Sequence, residues 1–585
     1  MPKNTKKSFP GNLIPFDRQF FTGKEKFTLI GRGSLGGKAH GLARMREILE
    51  AEISPLFSPD IQVVIPTLTV ITSDFFDLFM EQNDLYEVSL SNQRDEAIAQ
   101  AFQRAELPAQ LVGDLRALIA QVHTPLAIRS SSLLEDAMFE PFASVYATKM
   151  IPNNQLDPNI RFRKLVEAIK YVYASTFFRD AKNYMLATKH TSADEKMAVI
   201  IQEVVGSRFG NRFYPQISGV ARSYNFYPLG HAKPGDGVVI LALGLGKMIV
   251  DDGIGWSYSP AYPQANPPYV SISELLEQSQ TEFWAINMGP PPEYNPIKEM
   301  EYMLKFSLED AERDGALRFI ASTYRLRDDK IVYGIAEGGA RIIDFAPILK
   351  LELISLNTML RALLKSCEEA LERMVEIEFA LSLDEKKGVP ARFGFLQVRP
   401  MVVSEANVDV SLAELMGARV LVATESAMGN GVLDNIWDIV YVKPEKFSPN
   451  KTETIAAQLE ELNRKLGASH EPYLLIGFGR WGSSDPLGGI PVNFGQISGA
   501  RVIVESTLPE MNFMLSQGSH FFHNITSFRV FYFSVPHWEK YTIDWSWLKK
   551  QQAVTETEFI RHVKLPAPLK VKVDGTTSRG VIYHD

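Results

Sequence analysis

Cysteine is almost absent from this chain of 585 residues. Its single Cys367 rules out any disulfide within the chain, so stability rests on burial, and a reducing, cytoplasmic setting is expected. Long apolar runs are missing as well. The most apolar stretch, residues 238–245, falls far short of the roughly 20 residues that cross a bilayer, and no membrane partner is expected. The opening MPKNTKKSFPGNLIP is basic but lacks an apolar core, so it does not resemble a secretory signal. Basic charge is not in excess. Lys and Arg number 61 against 69 Asp and Glu, a net charge of −8, which argues against nonspecific nucleic-acid binding while leaving room for a local phosphate pocket. Internal repeats and low-complexity tracts are also lacking.

What is present is an ordinary globular composition, 45% hydrophobic and 22% charged. At roughly 100–200 residues per domain, the length implies three or four domains, or two large ones with insertions. Residues up to about 25 are polar with early prolines and read as a surface arm. A helix is expected at 36–50, a strand over 61–72, helices from 74 to 119 broken near Pro108, a short strand at 125–129 and a long amphipathic helix over 165–186. Further on, 197–205 and 237–243 read as strands, 353–373 as a helix, and 375–380 and 393–398 as strands joined by a polar loop. From about 403 onward, strands at 420–424, 436–442, 473–477, 500–505 and 528–533 alternate with a charged helix at 452–466, the pattern of a separate α/β domain.

Three segments carry polar groups suited to chemistry. In GRGSLGGKAHGL, glycines would let backbone amides approach an anion at a helix start, and Lys38 could reach phosphates; a glycine turn with a surface lysine explains the same letters. The spacing is not that of a Walker A loop. In Ile128-Arg129-Ser130-Ser131-Ser132, an arginine leaves a strand into a hydroxyl-rich loop. Its planar fork suits a phosphate, or equally an ion pair with Glu135 or Asp136. The third segment is the most informative. Carboxylates alternate with apolar residues in Val375-Glu376-Ile377-Glu378-Phe379, and Gln397 and Arg399 alternate likewise in Phe395-Leu396-Gln397-Val398-Arg399. Residues i and i+2 of a strand share a face, so if the two strands pair, Glu376, Glu378, Gln397 and Arg399 lie together. Carboxylate and amide oxygens suit magnesium beside substrate phosphates, and Arg399 could hold a phosphate; the alternative is a solvent-facing strand pair with a Glu–Arg bridge.

Taken in order, GGKAHGL, IRSSS with ED and FAS downstream, MAVIIQEVV, SGVAR, LGLGK, EIEFA and LQVRP resemble the nucleotide-binding region of the phosphoenolpyruvate synthase, pyruvate phosphate dikinase and rifampin phosphotransferase family. The family's segments look like GGK, VRSS…ED…SFAG, VQ.MV, SGV, GLGE, DIEW and QARP. Ordered matches across residues 30–401 are far more specific than any one of them. The resemblance implies an ATP-grasp α/β fold after an arm at 1–29. ATP would lie between a first lobe at 30–195 and a second at 196–402, ahead of a separate α/β C-terminal domain at 403–585. It implies that Lys38 and Arg129 hold ATP phosphates and that Gln202, Glu203 and Val205 lie at the hinge near adenine. It also implies that Glu378 and Gln397 hold Mg2+ with Glu376 close by, and that Arg399 contacts the transferred phosphoryl group.

The resemblance also has departures. Ser144 replaces the family's glycine after Phe-Ala, and Lys247 replaces the acid of Gly-Leu-Gly-Glu, reversing a charge near the nucleotide. The swivelling-domain histidine segment, like T-S-H-A-A, is not found, and too few residues follow position 402 for a pyruvate barrel. A separate protein would then supply the missing phosphohistidine or acceptor domain. Within the chain, His520 and His523 in GSHFFHN are candidate phosphoryl acceptors, although histidines in an aromatic run also serve as packed residues. The loop 477–485, GFGRWGSSD, suits a planar or anionic ligand or a tight turn around a packed Trp481. Cys367, in a helix, is expected to be a buried structural thiol. The leading expectation is an ATP- and Mg-dependent phosphotransferase acting on a small acceptor or a histidine. Its rivals are a ligase-like enzyme forming an acyl phosphate and a non-catalytic nucleotide sensor with a partner-binding C-terminal domain.

Overall fold

The computed structural model describes residues 13–49, 60–132, 145–187, 195–226, 228, 230–250, 255–265, 272, 275–276, 279–383, 389–401, 408–468, 471–483, 488–511, 530–538 and 540–584. The chain is mixed α/β, as its alternating patterns imply. A first sheet has the order Ile14–Pro15, Phe27–Ile30, Leu68–Ile71, Met197–Glu203, Leu126–Ser132, Thr148–Ile151. Helices cover one face because their apolar residues recur every three or four positions: Phe76, Phe79 and Met80 in Ser73–Gln82 pack with Phe102, Leu165 and Tyr173 in one core. Asp157 starts the helix Pro158–Ser175 by accepting the Asn159 amide at 2.8 Å, with Pro158 in the first turn. The single helix expected over 165–186 is two. Ser175 Oγ turns back to the Val172 carbonyl at 2.7 Å, the Thr176 and Phe177 amides bond three residues back, and Arg179–Ala187 begins anew.

The strand expected over 61–72 is also two. Pro66 interrupts it, and its halves join different sheets. Leu68–Ile71 lies in the first sheet, whereas Ile61–Val64 pairs in parallel with residues 391–394 at the edge of a second sheet. That second sheet runs Trp256–Tyr258, Val238–Ala242, Ile217–Arg222, Val375–Ser382, Ala391–Pro400, Ile61–Val64. Gly36–Ile48 and Leu356–Leu371 pack on it through Leu42, Leu360, Leu363, Ile377, Phe379 and Phe393. Cys367 joins the two helices, its Sγ 3.8 Å from Met45 Sδ. Burial pushes its thiol up to about 12, which keeps it protonated and inert, in line with a structural role.

Beyond residue 417 a nine-stranded sheet dominates. Gly431–Val442, Tyr473–Phe478, Ala500–Ser506 and Phe531–Val535, which overlap four of the expected strands, pair in parallel within it. The long strand Ile560–Asp574 and its partner Arg579–Tyr583 add an antiparallel part that the pattern did not announce. This unit packs on the helix Arg179–Ala187 through Arg179–Glu460 at 2.6 Å, Asn493–Asp180 at 2.6 Å, and the rings of Tyr184 and Phe494. Of the two readings of the Gly-rich loop, the described part shows the tight turn. Trp481 is buried, its Nε1 donates to the Val504 carbonyl at 3.2 Å, and a Cβ on Gly477 would lie 2.3 Å from its ring. Among the described residues, no helix is long and apolar enough to cross a membrane.

Candidate nucleotide-binding site

Val375–Ser382 and Ala391–Pro400 pair antiparallel, with Glu376 opposite Arg399 and Glu378 opposite Gln397. A register shift follows Glu378, so the polar pairs and the apolar Phe379–Phe395 pair both keep their faces. On the other side of Glu376, Arg222 stands directly opposite it from Ile217–Arg222. Arg399 Nε donates to Glu376 Oε1 at 2.7 Å, and its Nη2 donates to the same oxygen. Arg222 Nε donates to Glu376 Oε2 at 2.5 Å. With side-chain exposures of 1% for Glu376 and 6% for Arg399, this is an enclosed ion cluster, not a solvent-facing bridge.

From the first sheet, Arg129 reaches across to this face. Its Nη2 donates to Gln397 Oε1 at 2.8 Å, its Nη1 to the Leu396 carbonyl at 3.0 Å and to Gln202 Oε1 at 3.2 Å, and Glu378 Oε2 lies 3.7 Å away. A guanidinium only donates, so Gln202 must turn its oxygen to Arg129, and its buried Nε2 has no acceptor among the described residues. Lys38, in the first turn of Gly36–Ile48, donates from Nζ to Ser130 Oγ at 3.2 Å. The neighbouring Ser131 hydroxyl donates to the Leu35 carbonyl at 2.8 Å and accepts the Ala39 amide at 3.1 Å. The glycine loop and the serine loop are thus one assembly. Gly36 makes it possible: at φ +72° its missing Cβ would lie 1.7 Å from the Ser131 carbonyl oxygen. Gly36→Ala is therefore expected to destabilise by roughly 2–5 kcal/mol, from left-handed strain plus overpacking, as a lowered urea midpoint.

The glycine amides themselves are less open to an anion than their sequence implies. Those of Arg32 and Gly33 each donate at 3.0 Å to the Asp74 carboxylate, and that of Ser34 donates to Ser73 Oγ at 3.0 Å. Burial pushes the Asp74 carboxyl up, but hydrogen bonds from Thr72, Arg32 and Gly33 outweigh it and hold the group below its ordinary value.

At the far end of the strands, Glu203 Oε1 accepts from Thr124 Oγ1 at 2.9 Å, and Val205 is buried against Gly394 of the second sheet. A cleft of ≈ 370 Å³ opens there, walled by Pro125, Phe213 and Met288 and by the polar Thr124, Asn153 and Arg208. Asn153 Oδ1, on a side chain that is buried, has no donor among the described residues. Residues 296–301 close the edge of the first sheet: Glu299 accepts the Thr148 amide at 2.8 Å, and buried Lys149 pairs with Glu301 at 2.7 Å. Burial raises the Glu299 carboxyl, with Lys247 opposing the shift, so the reversed charge at position 247 acts on an acid supplied by another segment.

The structure therefore brings Lys38, Arg129, Gln202, Glu378 and Gln397 to one place, with Glu376 and Arg399 alongside. Arg222 was missed because a lone arginine ending a strand has no pattern to mark it. His520 and His523 lie outside the described residues, as do Glu135, Asp136, Ser144 and Asp485. As a seat for Mg2+, Glu378 and Gln397 fit: their oxygens already flank a cation, the Arg129 guanidinium. Glu376 fits less well, since both of its oxygens accept from arginines. Among the described residues no group of three or more His, Cys, Asp or Glu gathers as a metal cage, which is compatible with a Mg2+ held mostly by phosphates and water.

Two sheets facing one another across cationic and hard-oxygen side chains define a nucleotide-binding α/β protein. The chain belongs to the family of the pyruvate phosphate dikinase AMP/ATP-binding domain, whose model matches residues 32–416. That domain is an ATP-grasp-type nucleotide-binding region, and it supports binding of ATP by this chain. No curated protein sequence matches the chain.

Proposed function

We propose that this protein is an ATP- and Mg-dependent phosphotransferase that moves a phosphoryl group from ATP to a small acceptor or to a histidine. The observation that carries the reading is the crossing of Arg129 from the first sheet to Gln397 and Glu378 of the second. The triphosphate would lie between the two sheets, with Lys38 and Arg129 on its oxygens. Glu378 and Gln397 would hold Mg2+, whose contribution is to neutralise phosphate charge. Arg399 would face the transferred group. The base would occupy the cleft beside Glu203 and Val205. From Arg129 back to Pro125 along the strand is about 13 Å, a span that suits an extended nucleoside triphosphate.

Phosphorus NMR of the full chain with ATP, Mg2+ and cell metabolites tests this. AMP with phosphate supports dikinase chemistry, and ADP with a phosphorylated acceptor supports a kinase or a ligase-like enzyme. Intact ATP despite tight binding would overturn the enzymatic reading in favour of a nucleotide sensor, the role that Lys247 in place of an acid favours. Glu378→Ala and Arg399→Ala are each expected to abolish turnover while the fold survives; wild-type rates in either would refute the site.

A further inference from the structure

Arg222 ends the strand Ile217–Arg222 beside the site. It shares the face that carries Glu376, Glu378, Gln397 and Arg399, one strand beyond Glu376. Glu376 is its single side-chain partner among the described residues, reached through Nε. Both Nη groups therefore carry donors that no acceptor among the described residues takes up. The side chain is 21% exposed, so it is not sealed from solvent. Glu376 holds it in place and does not neutralise it, because the same carboxylate also accepts from Arg399. A fixed guanidinium with an unengaged two-nitrogen edge is a fork for an oxyanion.

We propose that Arg222 forms a second oxyanion seat on the polar face of the second sheet, separate from the triphosphate seat at Lys38 and Arg129, and that it takes the charged group of the phosphoryl acceptor. The acceptor is thereby a small molecule bearing a phosphate or a carboxylate. This rests on the reading of the neighbouring seat as the ATP site. The spacing supports two seats: Arg222 and Arg399 stand two strands apart, about 10 Å, with Glu376 between them. An anion on Arg222 would then flank the group that Arg399 faces, on the side away from Arg129. Because Arg399 still pairs with Glu376 when Arg222 is removed, the buried carboxylate keeps a counterion, and the fold is expected to survive the substitution.

The test compares full-length wild type with Arg222→Gln, using inorganic phosphate and acetate as probes at constant ionic strength. Phosphate is expected to raise the melting temperature of the wild type, and the variant should need at least about fivefold more phosphate for the same rise. ATP affinity by calorimetry should change less than about threefold. If acetate protects the wild type as phosphate does, the acceptor group is of the carboxylate class; if phosphate alone protects, it is of the phosphate class. Equal phosphate dependence in both proteins, or none in the wild type, overturns the proposal. A purely structural Arg222 would instead lower the melting temperature in phosphate-free buffer and leave the phosphate dependence intact. Failure of wild type to bind ATP would overturn the triphosphate seat, and the phosphate comparison would still report on Arg222.

Discussion

Arg129→Ala is expected to reduce ATP turnover by about a thousandfold, the scale on which one preorganised cationic donor contributes to phosphoryl transfer. The expectation comes from how much one guanidinium does here. It joins Gln202 of the first sheet to Gln397 and the Leu396 carbonyl of the second, and it lies 3.7 Å from Glu378. Without it, the two sheets lose a polar link at the site and a triphosphate loses a planar fork. Arg129→Lys should recover little, because an ammonium cannot serve acceptors on two sheets and a phosphate at once. The measurement is ATP consumption under saturating Mg2+, with circular dichroism confirming the fold. A rate within tenfold of wild type in Arg129→Ala would remove Arg129 from the site.

Glu376→Gln should produce the largest loss of stability, about 3–5 kcal/mol, because it leaves two guanidinia without their shared carboxylate. Arg399, 5% exposed, has little access to water to make up the difference. Urea denaturation checks this, and added phosphate should restore part of the loss by standing in for the missing charge. The contrast with Arg222→Gln is diagnostic: removing the shared anion harms the cluster, whereas removing one of its two cations does not. Unchanged stability in Glu376→Gln would mean that other groups neutralise the arginines.

The polar face of the second sheet was legible because a strand repeats every two residues. Glu376, Glu378, Gln397 and Arg399 alternate with apolar side chains, and their pairing follows once the strands are neighbours. Lys38 and Arg129 were legible through their glycine and serine surroundings. The occupation of the loop amides by Asp74 was not, because it depends on a helix start some forty residues away. Arg222 was quoted within SGVAR without being singled out; its meaning depends on which strand lies beside it, and register is a tertiary fact. The break at Pro66 was readable in principle, since a proline cannot donate within a sheet ladder. That its two sides enter different sheets was not. The antiparallel hairpin at the C-terminal end escaped for a related reason: a long strand with Pro566 and Pro568 inside it looks interrupted until its partners are known.

The crossing at Pro66 has a consequence for how the molecule can be taken apart. The strand just before it completes the second sheet, while Met197–Glu203, far downstream, lies between Leu68–Ile71 and Leu126–Ser132 in the first. The halves are laced together like two hands with a finger exchanged. No single cut in the sequence frees one from the other: a fragment ending near residue 195 would lack an interior strand of its own sheet and carry an edge strand belonging to its neighbour. Gene fusions, truncations and crystallisation fragments of this protein should treat residues 13–401 as one inseparable piece.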